Sequence, residues 1–257
     1  MNAKGTYCPS LIHLDEICIP ASFQLVDGKL PFAYGDIKRD SSILFNSQIE
    51  QLVNQLILRN CLGELSSVVN SSKAVNCGSF PVLYNQLNYC IDKICINEKI
   101  ELLICPELKD INGFSFELQG IAYVMIGFRV LSELTLDECR FLLGHELGHV
   151  VIGHLNYHMV CGLIKSRHLS SFPFGTTISN KIEDEYNRWC QDSEYTADRA
   201  GLICCGNIDV VSSLIEKICY TKQGGLASKG LFSSHPQTPN RMEQLRLFQS
   251  IIHNKHI

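Results

Sequence analysis

The sequence predicts an α+β fold, mainly helical, with a small antiparallel β-sheet beside one unusually apolar helix. Three observations carry this prediction. Apolar positions recur at three and four residues through most of the chain, as on one face of a helix. The period shortens to strand-like runs only between about residues 99 and 128. One helical run, FLLGHELGHVVIGH, sets histidines, a glutamate and three glycines among apolar residues.

Residues 1–42 carry Pro9, Pro20 and Pro31 and no sustained period, so they read as an N-terminal extension made of extended segments and turns. Residues 43–257 read as one domain. Its first helix is expected from 43 to about 69. The small polar residues of NSSKAVNCGSFP then form a loop, and VLYNQLNYCIDKICI forms a second helix. KIELLICPEL and FSFELQGIAYVMIGF read as strands, with Gly120 at a turn.

The helix over TLDECRFLLGHELGHVVIGHLNYH has Thr135 at its N-cap and Asp137 and Glu138 in its first turn, where acidic groups favour the helix dipole. Residues 162–180 are rich in Ser, Thr, Gly and Pro and read as a loop, either a surface excursion or a lid over a cleft. Further helices follow over 181–204, 207–220 and 238–252, the last with Pro239 near its first turn.

Composition narrows the function classes. Hydrophobic residues make up 46 % of the 257 and charged residues 19 %, enough to build an ordinary core. A net charge of −4 without a basic run predicts no nucleic-acid partner. No stretch approaches the ~18–20 apolar residues of a spanning helix, so no integral membrane segment is expected. The start of the chain lacks the basic and apolar regions of a secretory signal. Thirteen cysteines, an odd number without repeated spacing, suit free thiols in a reducing compartment, and the expected location is cytoplasmic.

The chemistry concentrates in His145, Glu146 and His149. Residues four apart on a helix lie above one another, so His145 and His149 can direct both imidazoles at one metal ion, for which zinc is the natural choice. Glu146 is rotated about 100° from His145, beside the metal, where a general base would stand. A reactive zinc site needs a third protein ligand. SEYTADRAG supplies Glu194, with Asp198 four residues on to accept a hydrogen bond from a ligand histidine and fix its tautomer. Ala197, Ala200 and Gly201 would let this helix approach Gly144, Gly148 and Gly153 of the first. Against this stands a helix whose histidines simply satisfy core hydrogen bonds.

LTLDECRFLLGHELGHVVIGH, SEYTADRAGL and SSHPQTPNRMEQL together resemble the gluzincin family that includes the HtpX heat-shock protease, the CAAX prenyl endopeptidases and the mitochondrial OMA-type proteases. The resemblance covers roughly residues 50–246. It implies a zincin-like metallopeptidase domain in which His145, His149 and Glu194 hold one Zn2+ and Glu146 is the general base of peptide hydrolysis, with a protein or peptide as substrate. It also implies that an extended substrate adds as a strand along a sheet edge, expected at Ile121, Ala122, Tyr123, Val124, Met125 and Ile126. His235, in the family's His-Pro pair, or Arg241 would then stabilise the oxyanion. The alternatives are a surface histidine and a structural ion pair, respectively.

Other residues stay open. His154 and His158 continue the four-residue spacing and could form a second metal site or face solvent. Tyr195 and Tyr123 could touch substrate or simply pack. Cys8 could ligate zinc and make residues 1–42 a latency plug. A regulated, latent protease and a metal-holding binding module without turnover remain the rival functions. No motif encodes the oligomeric state, the substrate or the cleavage preference.

Overall fold

A computed structural model of the chain describes residues 32–35, 44–45, 47–153, 155–157, 180–223 and 238–254. Two helices, α1 (Ser47–Asn60) and α2 (Leu62–Ser71), replace the single one expected over 43–69. The break falls at Cys61, where Asn60, Cys61 and Gly63 are all poor helix formers. Helix α3 (Pro81–Ile94) follows, with Pro81 at its first position, where a missing N–H costs nothing.

Among the described residues the sheet has four strands in the order β1-β2-β4-β3: β1 (Lys73–Ala74), β2 (Ile100–Cys105), β3 (Gly113–Leu118) and β4 (Ile121–Gly127). The two residues of β1 lie in what the sequence suggests is loop. β3 and β4 form a hairpin closed by Gln119 and Gly120, both at positive φ (54° and 77°), the backbone a two-residue turn requires. The sheet is mixed and not antiparallel throughout, because β2 runs parallel to β4.

That order corrects one expectation. β4, with Ile121, Ala122, Tyr123, Val124, Met125 and Ile126, was the expected substrate edge. It lies between β2 and β3, so ladder partners take up both of its sides. The edge beside the domain's central helix belongs to β3.

After the short α4 (Val130–Glu133) comes that central helix, α5 (Leu136–Ile152). Its start is a complete capping box: Glu138 N–H donates to Thr135 Oγ1, and Thr135 N–H donates to the Glu138 carboxylate. It stops at Gly153, whose φ of +80° ends the helix before the expected His158. Helices α6 (Asn180–Cys205), α7 (Ile208–Gln223) and α8 (Thr238–Asn254) complete the described elements close to their expected positions.

α5 is buried on every side, which explains its all-round apolar sequence. It contacts β3, α3 and α7 and lies most extensively along α6. The two helices meet through small residues. A Cβ at Gly144 would come within 2.7 Å of Cys204 Sγ, and one at Gly148 within 2.8 Å of Ala197 Cα, so any larger residue would push the helices apart. Phe32, from the N-terminal side of the expected division at residue 42, belongs to the same core. No helix among the described residues is long and apolar enough to cross a membrane.

Candidate active site

The site forms where α5 and α6 touch. His145 and His149 stand four positions apart on α5, and both imidazoles face α6, with Nε2 atoms 3.2 Å apart. From α6, Glu194 brings Oε2 to 3.5 Å from His145 Nε2 and Oε1 to 3.6 Å from His149 Nε2. All three side chains are buried. Each carboxylate oxygen turns to a different imidazole, and one ligand atom from each of the three residues lies within 4.8 Å of the others, a grouping that could hold one metal ion.

The protonation pattern also fits a cation. The Asp198 carboxylate accepts a hydrogen bond from His145 Nδ1 at 3.0 Å. That fixes the proton on Nδ1 and leaves the Nε2 lone pair facing the cluster. His149 Nδ1 lies 3.3 Å from Ser193 Oγ, a hydroxyl that can orient the ring.

Acidic groups gather around the cluster. Glu146, Glu194 and Asp198 are three buried carboxylates, and Arg241 is the guanidinium that faces Asp198.

Burial alone would raise the Asp198 carboxyl. The charge and hydrogen bonds of Arg241, joined by those of His145, overcome burial and hold it at about 2. Burial pulls the His145 imidazole down, but the Asp198 hydrogen bond and the charges of Asp198, Glu194 and Glu146 reverse this and raise it.

Glu146 is buried outside the three-donor cluster, on the side facing the sheet. Its Cγ and Oε1 would lie 3.1 Å from a Cβ at Gly113, the first residue of β3. Glycine at that position is what lets the carboxylate and the strand share the space.

The residues singled out in the sequence thus meet in four cases: His145, His149, Glu194 and Asp198. Arg241 is an ion-pair partner of Asp198, as one of its two readings anticipates. Tyr195 packs on Tyr34, with ring centroids 4.7 Å apart, and Tyr123 stacks on Phe116. His235, His154, His158, Cys8 and the segment 162–179 lie outside the described residues. Ser193 and Gly113 are absent from the sequence reading. Ser193 was open to inference, since it precedes Glu194 and a buried His149 ring needs a partner. Gly113 was not, because only the sheet brings it to Glu146.

Residues 82–248 match the sequence profile of peptidase family M48. The chain is also 26 % identical over 108 residues to plastoglobule-localized metallopeptidase 48, chloroplastic, of Arabidopsis thaliana. That alignment covers 42 % of this chain and 31 % of the relative, so the chain spans about a third of the relative it matches. The profile match takes in β2 to β4, both helices of the buried cluster and Arg241, and on that extent the chain belongs to peptidase family M48.

Proposed function

We propose that the protein is a zinc-dependent endopeptidase, with His145, His149 and Glu194 as metal ligands and Glu146 as general base. The observation that carries this reading is the gathering of three buried donors close enough to share one ion, with a fourth acid, Glu146, beside them. Zinc held there would supply Lewis acidity, acidifying a water and polarising the scissile carbonyl.

The chain's own residues do the rest. Asp198 and Ser193 orient the two imidazoles, and Arg241 keeps Asp198 ionised so that it remains an acceptor. Glu146 takes a proton from the attacking water and delivers it to the leaving amine. His235 remains the proposed oxyanion donor, since the Arg241 guanidinium is engaged with Asp198.

Substrate would add to β3. Gly127 N–H donates to Asn112 O, and Leu118 faces Ile121 across the two-residue turn. The antiparallel alternation then directs the backbone groups of Phe114, Phe116 and Leu118 at β4, and those of Gly113, Ser115 and Glu117 at the open side. An extended peptide paired there would pass Glu146 at Gly113.

The cytoplasmic setting is part of the same proposal. It is supported by free thiols at Cys61, Cys77, Cys90, Cys95, Cys105, Cys139, Cys190, Cys204 and Cys205, and cell fractionation tests it.

The deciding experiment is metal analysis of the purified protein together with hydrolysis of a peptide library. Stoichiometric zinc and chelator-sensitive cleavage are expected. Zinc without cleavage would leave a binding module, and no metal uptake would remove the proposal.

A further inference from the structure

The back of α6 carries an arrangement that the hydrolytic reading does not use. At about 100° per residue, Ser193, Glu194, Ala197, Asp198 and Gly201 share the side of α6 facing α5, and Asp192, Tyr195, Thr196 and Arg199 share the opposite side. Residues 32–35 lie along that opposite side. Tyr34 N–H donates to Thr196 Oγ1 at 2.9 Å, while Thr196 donates in turn to Asp192 O. Arg199 Nη1 donates to Ala33 O at 2.7 Å. The Arg199 guanidinium sits over two rings, 4.9 Å from the centroid of Tyr34 and 4.7 Å from that of Phe248 on α8. Phe32, just before, is 2 % exposed.

We propose that Arg199 is a positioning residue: gripped by Tyr34 and Phe248, it fixes the rotation of α6 about its axis, so that residues 32–35 set the metal affinity of the site. The reason is leverage. A carboxylate about 6 Å from a helix axis moves about 1 Å for a 10° rotation. Metal–ligand distances tolerate only about 0.2 Å. On its front side α6 meets α5 through Gly144, Gly148, Ala197 and Ala200, whose smooth surfaces allow close approach but resist rotation poorly. Asp198, held by His145 and Arg241, restrains the front, and the contacts of Thr196 and Arg199 add the restraint on the back. Residues 32–35 fall outside the family match over 82–248, so that match does not assign this restraint.

The inference rests on the proposed metal site, and its test separates the two. Full-length parent, Arg199→Met, Tyr34→Ala, Tyr34→Phe and the remote core variant Leu56→Ala are compared at a temperature where circular dichroism shows all five folded. Zinc affinity is measured by chelator competition, and the visible spectrum of the Co2+ form reports ligand geometry. Arg199→Met and Tyr34→Ala are expected to weaken zinc at least tenfold and alter the Co2+ bands. Tyr34→Phe, which keeps ring and backbone, and Leu56→Ala, which only loosens the core, should match the parent in both. Zinc binding by Arg199→Met within twofold of the parent, or an equal loss in Leu56→Ala, would overturn the positioning role. A parent that takes up neither ion would overturn the metallopeptidase reading and this inference with it.

Discussion

The Arg241 guanidinium lies along the Asp198 carboxylate, with Nε donating to Oδ2 at 2.7 Å and Nη2 to Oδ1 at 2.5 Å. The same carboxylate holds His145, so a charge pair reaching across from α8 orients an imidazole of α5. Replacing Arg241 with Met strands a buried anion, at a cost of about 3–5 kcal/mol. Urea denaturation of the chelated protein should show that loss, and adding Asp198→Asn should restore part of it. A loss no larger than that of an exposed arginine would contradict the pairing.

Glu146→Gln keeps the size of the side chain and removes the base. Peptide hydrolysis should fall by about 10²–10⁴-fold, while zinc content by elemental analysis stays at the parent level. Parental turnover by this variant would end the assignment of Glu146.

Gly148→Ala places a methyl within 2.8 Å of Ala197 Cα and 3.0 Å of Ala200 Cβ. Overpacking of this kind costs about 1–3 kcal/mol. Because the helix pushed away carries Glu194, zinc affinity should fall along with the thermal midpoint. A lowered midpoint with unchanged affinity would mean that α6 yields without moving its ligand.

Ser115→Pro removes an N–H that faces the open side of β3 and spares the β3–β4 ladder. The expected result is a lower kcat/KM on long peptides with little change in unfolding midpoint. An equal kcat/KM would move substrate binding away from this strand.

Glu138 is buried between Thr135, Ser213 and Lys217, all of which donate to it. Burial would raise its carboxyl, but the hydrogen bonds from Lys217, Thr135 and Ser213 outweigh burial and hold it below the ordinary value. A depressed folded value means that its stabilisation is complete above the unfolded carboxyl pKa of about 4.3. That stabilisation is lost as pH falls through the folded value. Denaturation of parent and Glu138→Gln, both chelated, should therefore show a stability gap at neutral pH that narrows in acid. A gap constant with pH would rule out this linkage.

Local pattern was enough to place most of the helical sequence, though not the break at Cys61 or the stop at Gly153, and it determined the hairpin turn at Gly120, the cap at Thr135 and the pairing of His145 with His149, because each depends on residues within a turn or two of one another. The approach of Glu194 and Asp198 was also legible, since carboxylates four apart among small residues leave few other uses for a buried helix face. Tertiary structure decided what depends on which elements become neighbours. It put β4 inside the sheet and β3 at its edge, because the parallel β2–β4 pairing is a long-range choice that alternation along a strand does not encode. It likewise brought Gly113 to Glu146, Arg241 to Asp198, and Tyr34 with Phe248 around Arg199. Those partners are separated by tens to hundreds of residues, and only packing of the whole core selects them.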